Sequence, residues 1–285
     1  MATVFNGTGN GTEERRWLRW LDYGFYVVVA IAAIAFAYYL FYFRRLIVLY
    51  GPLLFQATIT TLMISAVSMI LAICMGGLGV WGRLSKFPPV YWLATVYVEV
   101  IRGTPTLVQL LLWGFGIGSL MSNLGVDPRA IAFQVMTVLQ NNSLITAGFN
   151  FIFYGVIGLS FNYGAYLTEV FRAGIESIPK GQTEAAVGLG MDNKQTLGRI
   201  VLPQAVRLII PPFTNYFITL IQDSALLSTL GVIELQQQTN AFANVLLDPN
   251  AKLFVYVFGG LFYLGLCYPL SLLARYLERR LGRGN

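Results

Sequence analysis

Glu99 and Arg102 are ionisable residues that lie three positions apart within a stretch of apolar residues. In an α-helix this spacing places both side chains on the same face. Ionisable groups are costly at membrane depth, where they usually face a partner group, a cavity or a substrate path. The pair therefore supports two interpretations, which we weigh equally: an ion pair that locks helices together, and two groups that contact a charged substrate.

The three residues after this pair, Gly103, Thr104 and Pro105, interrupt the helix. Proline has no N–H to donate, and its ring clashes with the carbonyl four residues earlier. Broken helices at membrane depth are tolerated beside protein or a water-filled cavity, and they often mark binding sites. We expect the apolar runs on either side to form one broken span.

Two later apolar runs also carry polar side chains. A polar stripe at helical spacing is formed by Asn215, Thr219, Gln222 and the adjacent Asp223. We favour a face that lines a path over a polar contact between helices. The earlier run ends in a second Glu-x-x-Arg pair, Glu169 and Arg172, close to Asn162, Tyr166 and Thr168. Because this pair lies near the membrane interface, we favour a structural role for it more than for the first pair.

The residue patterns of enzymes and metal proteins are missing from the sequence. It has no histidine, no Gly-x-x-x-x-Gly-Lys-[Ser/Thr] loop for nucleotide phosphates, and no paired nucleophile and base. Cys74 and Cys267 stand alone in apolar runs, without the spacing of a zinc site or a redox pair. We predict a protein that is not an enzyme and has no metal or cofactor, so its energy must come from a partner or a gradient.

The composition indicates an integral membrane protein. Of the 285 residues, 56% are hydrophobic and only 11% are charged, and the mean hydropathy is +0.64. Hydrocarbon offers no hydrogen-bonding partner, so a chain that crosses about 30 Å of it pairs its backbone groups within a helix. The long apolar runs predict an all-α protein with about six spans, at 23–43, 53–82, 90–121 with its break, 151–168, 208–222 and 253–274.

The distribution of basic residues predicts the orientation. The net charge of +6 could suggest nucleic acid, but the basic residues lie at the ends of apolar runs rather than on one face. With both termini in the cytoplasm, fourteen of the 19 basic residues lie inside and four lie outside. The excess of positive charge in the cytoplasm favours this topology. We expect membrane lipid as the surroundings and no nucleic acid partner.

The chain divides into three parts by composition. Residues 1–22 form a polar cytoplasmic tail, residues 23–50 an accessory amino-terminal span with a short external link, and residues 51–285 the main membrane domain. Within that domain, residues 119–150 form an external stretch of unclear role. Residues 173–207 form the longest cytoplasmic loop, with short helices at 182–189 and from Asp192, where Gln195 completes a capping box.

Four segments of the main domain resemble one family of transport proteins. The cytoplasmic loop reads IPKGQTEAA at 178–186, then Gly188, then LPQA at 202–205, and this pattern resembles the EAA loop of binding-protein-dependent ABC importers. Three further segments narrow the resemblance to the permeases for polar amino acids of the histidine, glutamine and arginine type. They are EVIRGTPTLVQ at 99–109, GAYLTEVFR at 164–172, and PPFTN at 211–215 followed by QDSAL at 222–226.

The resemblance implies a type I importer permease in a bacterial inner membrane, which moves polar amino acids by alternating access. It implies a core of five helices, to which this chain adds one helix at its amino terminus. It also implies a second permease chain, identical or homologous, two ATPase subunits docked on the cytoplasmic loops, and an extracytoplasmic binding protein. Gln222 and Ala225 stand where the family commonly has Lys and Ser, which leaves the charge of the substrate open.

Two sets of residues follow as predictions. Residues for coupling to the ATPase are Gly181, Glu184, Ala185, Ala186, Gly188, Leu202 and Pro203. Residues for the substrate path are Glu99, Arg102, Thr104, Gln109, Asn162, Tyr166, Glu169, Asn215, Thr219, Gln222 and Asp223. The alternative function is a gradient-driven secondary amino acid transporter, but such a protein has no need of this loop and usually shows related halves, which this sequence lacks.

Overall fold

The computed structural model of the protein describes residues 11–125, 137 and 152–281, with side chains from residue 23 onward. Throughout these ranges the regular secondary structure is helical. The helices are α1 Gly11–Tyr42, α2 Arg44–Arg83, α3 Pro88–Arg102, α4 Thr106–Asn123, α5 Ile152–Glu176, α6 Lys180–Gly188, α7 Asn193–Leu230, α8 Leu235–Asn244 and α9 Pro249–Leu281. Helix α4 contains a π-helical segment, and α7 contains one near its start and ends in a 3₁₀ segment.

The chain forms two compact units, residues 1–51 and residues 52–285. The first unit contains α1, whose apolar side chains are exposed along the span Tyr23–Tyr42. Helix α1 already begins at Gly11, within the polar tail expected over residues 1–22. Residues 1–10, most of the expected external stretch 119–150 and residues 282–285 lie outside the described residues.

The apolar helices confirm a multi-pass membrane protein. Three described helices, the α1 segment Tyr23–Tyr42, α2 and α9, are each long and apolar enough to cross a membrane. The bent pairs α3 with α4 and α7 with α8 raise this number to five if each pair is one span. Helix α5, the remaining expected span, is 25 residues long and is not among these helices.

The break that the sequence predicts at residues 103–105 is present between α3 and α4. The two helices meet at an angle of 109°, so α4 turns away from the direction of α3 instead of continuing it. Gly103, Thr104 and Pro105 are all exposed at this bend. The three residues that the sequence analysis expected to break the span therefore lie at this change of direction.

Helix α5 lies at the centre of the second unit, where it packs closely on α2. A Cβ atom on Gly76 would come within 2.8 Å of the Leu167 Cβ, and one on Gly79 would overlap the Thr168 hydroxyl. Leu167 and Thr168 are completely buried. Gly77 differs from both, because no atom of another helix lies within 4 Å of its Cβ position. The glycines on one face of α2 thus fix the distance between α2 and α5.

The cytoplasmic loop forms α6 and the first turns of α7. The expected capping box is confirmed, because Asp192 accepts the Gln195 N–H at 2.8 Å and Gln195 accepts the Asp192 N–H at 3.2 Å. A small apolar cluster joins Ile178, in the turn before α6, to Val201 and Ala205 of α7. The second helix, expected as a short helix from Asp192, continues into the rest of α7 without a break.

Candidate substrate path and coupling loop

The bend before α4 is held by the side chain of Gln109. Pro105 cannot donate a hydrogen bond to the carbonyl of Ile101, four residues earlier. The Gln109 Nε2 donates to that carbonyl instead, at 2.7 Å. It also lies 3.0 Å from the Thr104 carbonyl oxygen and 2.8 Å from the Thr104 Oγ1. One amide thus replaces the donor that the proline lacks and ties both sides of the bend together.

Asn162 of α5 connects this bend to the centre of the protein. Its Nδ2 donates to the Gln109 Oε1 at 3.1 Å, and both side chains are buried. Buried amides are stable only when they are hydrogen-bonded. Gln109 and Asn162 were both predicted to line the path, but the structure places them inside the chain, where they position the bend.

Arg102 and Asp223 lie at two ends of a cluster of tyrosines. The Arg102 guanidinium lies 5.5 Å from the centre of the Tyr166 ring, and that ring lies 5.5 Å from the ring of Tyr216. Tyr163, next to both rings, donates its hydroxyl to the Asp223 Oδ2 at 2.8 Å. We call these five residues the tyrosine cluster. The cluster brings together a cation at the end of α3, aromatic rings of α5 and α7, and a carboxylate of α7.

Glu99 does not pair with Arg102. Both side chains are exposed, and within the described part of the chain no ion pair joins them. The interpretation of an ion pair that locks helices is therefore wrong for this pair. Arg102 instead contacts the aromatic face of Tyr166, a favourable position for a guanidinium.

The predicted polar stripe lies on a face of α7 that this chain leaves uncovered. Asn215, Thr219 and Gln222 are all exposed. Thr219 donates to the Asn215 carbonyl at 3.0 Å, and the Asn215 Nδ2 lies 3.4 Å from the Glu278 Oε1 of α9. These polar side chains are directed to whatever surrounds the chain, in contrast to Gln109 and Asn162.

Glu169 belongs to a group of ion pairs at the end of α5. Its Oε1 lies 3.1 Å from an Arg83 nitrogen of α2, and its Oε2 accepts from Arg172 at 2.7 Å. Arg83 also donates to Thr95 of α3 at 2.9 Å. The carboxylate thus connects α2, α3 and α5. This geometry favours the structural interpretation of the second Glu-x-x-Arg pair over the predicted contact with substrate.

The predicted coupling residues mostly face outward. Glu184, Ala185, Gly188, Leu202 and Pro203 are exposed, and Gly181 and Gly188 have no other atom of the chain near a Cβ position. Ala186 differs, because only 4% of it is exposed and it packs toward the chain itself. Two apolar neighbours that the sequence did not single out are exposed, Val187 at 50% and Leu189 at 86%. The helix thus presents small and apolar groups at the surface.

Sequence analysis missed several members of the site. Tyr163 and Tyr216 were not predicted, although Tyr163 lies three residues before Tyr166 and so shares its helical face. Arg83 was assigned only to topology. Among the residues that the structure describes, no group of His, Cys, Asp or Glu side chains could hold a metal ion.

A helical protein of several spans, with a polar face beside a cluster of opposite charges and an exposed short helix at one end, belongs to the class of transport permeases. The chain is a member of the family described as "Binding-protein-dependent transport system inner membrane component", which matches residues 75–283. The resemblance to the permeases of ABC importers is therefore confirmed.

Individual relatives agree with this family. The chain is 35% identical over 234 residues to "L-cystine transport system permease protein TcyB" of Bacillus subtilis, which covers 82% of this chain and 88% of that protein. It is 32% identical to "Glutamate/aspartate import permease protein GltK" of Escherichia coli O157:H7, with coverage of 80% and 93%. A solved structure of "an amino acid ABC transporter with histidines" is similar with a TM-score of 0.67 and 30% identity, and covers 82% of this chain and 96% of the other.

Proposed function

We propose that this chain is the permease subunit of an ATP-driven importer for polar amino acids, and that the tyrosine cluster contacts the substrate. The observation that carries the proposal is the placement of Arg102 and Asp223 on either side of Tyr166 and Tyr216. The ammonium and carboxylate groups of an amino acid each require an opposite charge when they leave water. Relatives named for cystine and for glutamate and aspartate support this class of substrate.

The path extends along the exposed polar residues. These residues are Glu99, Thr104, Asn215, Thr219 and Gln222. Glu99 and Gln222 would be poorly solvated by lipid, because hydrocarbon offers no hydrogen-bonding partner. They require an aqueous cavity or another protein chain on that side. A second permease chain, identical or homologous, completes the path in this proposal. Alternating access then opens the path to one side of the membrane at a time.

Helix α6 couples the permease to its ATPase in the same proposal. Both termini and α6 lie in the cytoplasm of a bacterial cell, where two ATPase subunits hydrolyse ATP, and a binding protein delivers the amino acid from outside. The exposed Val187 and Leu189 supply apolar contact area, and Ala185 and Gly188 permit close approach to a groove on the partner. Ala186 supports α6 from the inner side.

The uptake experiment uses liposomes that contain the permease with its ATPase and its binding protein. We expect amino acid uptake that requires ATP and persists when ion gradients are abolished with ionophores. Arg102→Gln and Asp223→Asn should each reduce the maximal rate by about tenfold or more, because each removes a charge-assisted contact with the substrate. Uptake that follows an ion gradient and ignores ATP would establish a secondary transporter and refute the proposal.

The coupling helix is tested by Gly188→Arg. The free space around Gly188 means that arginine causes no clash inside the chain, so a defect reports on a partner. We expect normal membrane insertion and a loss of at least about tenfold in uptake per ATP hydrolysed, since a large side chain would separate α6 from its groove. Gly198→Arg is the matched control, because Gly198 is exposed in the same loop with equal free space. Wild-type coupling in both variants would contradict a docking role for α6.

A further inference from the structure

Glu234 is a carboxylic acid that is completely buried, with 0% of the residue exposed. It precedes α8 and accepts the Gln237 N–H on its Oε1 at 2.8 Å, so it caps that helix. Surface residues can provide the same cap without loss of hydration. Burial of a carboxyl group is unfavourable unless several hydrogen bonds compensate. The position of Glu234 therefore calls for a role beyond the start of α8.

The second oxygen of Glu234 joins two other helices. Tyr263 of α9 donates its hydroxyl to the Oε2 at 2.8 Å, and the Thr61 Oγ1 of α2 lies 3.5 Å from the same atom. Thr61 also accepts the N–H of Leu235 at 3.0 Å. Glu234, Tyr263 and Thr61 thus tie α2, α8 and α9 at one point, which we call the Glu234 junction.

A short segment, residues 224–234, connects this junction to the proposed path. The segment begins directly after Gln222 and Asp223, and it buries leucine side chains in the core. Leu227 fills the space beside Gly155 of α5, and Leu230 fills the space beside Gly114 of α4. Its first end is held by the bond from Tyr163 to Asp223, and its other end is held by the buried Val232 and by the Glu234 junction.

We infer that Glu234 is a positioning residue, which fixes segment 224–234 against α2 and α9 and thereby places Gln222 and Asp223 in the path. A displacement of α9 or α2 would be transmitted through the carboxyl group to the end of α7. This inference rests on the proposed function in so far as Gln222 and Asp223 are taken to line the path. The junction itself contacts no residue of the tyrosine cluster through the bonds described above.

The test measures the accessibility of position 222 in the purified permease. A Gln222→Cys reporter is placed in a Cys74→Ala background, where the remaining Cys267 is buried and reacts only when the protein unfolds. We expect Tyr263→Phe and Glu234→Gln each to raise the rate of thiol labelling at position 222 by about fivefold, as expected for loss of one buried hydrogen bond. The double variant should label no faster than the faster single variant, because both changes break the same contact.

Tyr97→Phe is the matched control, since Tyr97 donates a bond of similar length, 2.7 Å, to the Phe161 carbonyl, away from segment 224–234. It should leave labelling unchanged. Equal labelling in all variants, or an equal rise in Tyr97→Phe, would overturn the inference. If Glu234→Gln does not fold, Tyr263→Phe and Thr61→Val decide the outcome alone. Labelling requires no transport, so failure of the wild type to take up amino acids would refute the proposed function without affecting this result.

In the liposome assay, the same variants should lower the maximal uptake rate. The concentration of loaded binding protein at which uptake is half-maximal should stay unchanged. A positioning role predicts this division, because the Glu234 side chain is completely buried and so does not itself contact the binding protein. A change only in the half-maximal concentration would instead assign the junction to docking of that protein and overturn the inference.

Discussion

Replacement of Gln109 by methionine removes the amide that holds the bend between α3 and α4. The side chain keeps nearly the same length and volume, so packing changes little. The Asn162 amide, which is only 2% exposed, loses its acceptor, and the Ile101 carbonyl loses the donor that stands in for the N–H of Pro105. Each buried polar group left without a partner costs about 1–3 kcal/mol, so we expect a loss of about 3 kcal/mol in the free energy of unfolding.

The assay follows unfolding through the native Cys267, which is 7% exposed. In a Cys74→Ala background, a thiol-reactive fluorophore in detergent solution reports the temperature at which Cys267 becomes accessible. A loss of about 3 kcal/mol corresponds to a decrease of roughly 6–12 °C for a domain of this size. Gln222→Met is the matched control, because it makes the same chemical change at an exposed position.

A second variant tests the cause of the loss. Gln109→Met combined with Asn162→Leu removes the donor and the acceptor of the same buried bond, so the remaining cost is the loss of the Gln109 donor by Ile101 and Thr104. The double variant should therefore be less destabilised than the sum of the two single variants. If Gln109→Met unfolds at the same temperature as Gln222→Met, the bend does not depend on this amide, and the assignment of Gln109 to position it is refuted.

Two further predictions concern contacts of α2. Gly79→Ala should lower the unfolding temperature, because its Cβ overlaps the buried Thr168, at a cost of about 1–3 kcal/mol, whereas Gly77→Ala should have no effect in the same assay. Glu169→Gln and Arg83→Gln should be less damaging together than the sum of their separate effects, with a coupling of about 1 kcal/mol, since the pair is only 17% and 14% exposed. Additive effects would show that Glu169 is not coupled to Arg83, which would favour the predicted contact with substrate.

The sequence was sufficient to predict the elements that depend on local rules. Apolar runs identify membrane helices because lipid offers no partner for backbone groups. The Asp192 capping box follows from two residues at fixed spacing, and it is present. The interruption at Pro105 was also predictable, but its direction was not. The angle of 109° depends on Gln109 and on its bond to α5, which are tertiary contacts.

The polar residues of the site could be found from the sequence, but their roles could not. A polar residue in an apolar helix can be bonded inside its own chain or can face a path, and helical spacing is the same in both cases. The buried Asn162 is bonded inside its own chain, whereas Gln222 is exposed and is a residue that we propose to face the path. Glu234 was not recognised, because its partners Thr61 and Tyr263 are distant in sequence and lie in unrelated helices.

The distinction between these two groups of polar residues has a physical consequence for the assembled transporter. Gln109 and Asn162 satisfy each other, so they would be stable whether lipid or protein surrounded the chain. Glu99 and Gln222 are exposed, and hydrocarbon would leave their polar groups without partners. A single chain in lipid is therefore energetically incomplete along α7 and α3. A second chain or a water-filled path on that side removes the penalty, so the same exposed residues that destabilise the isolated chain favour assembly around a polar path.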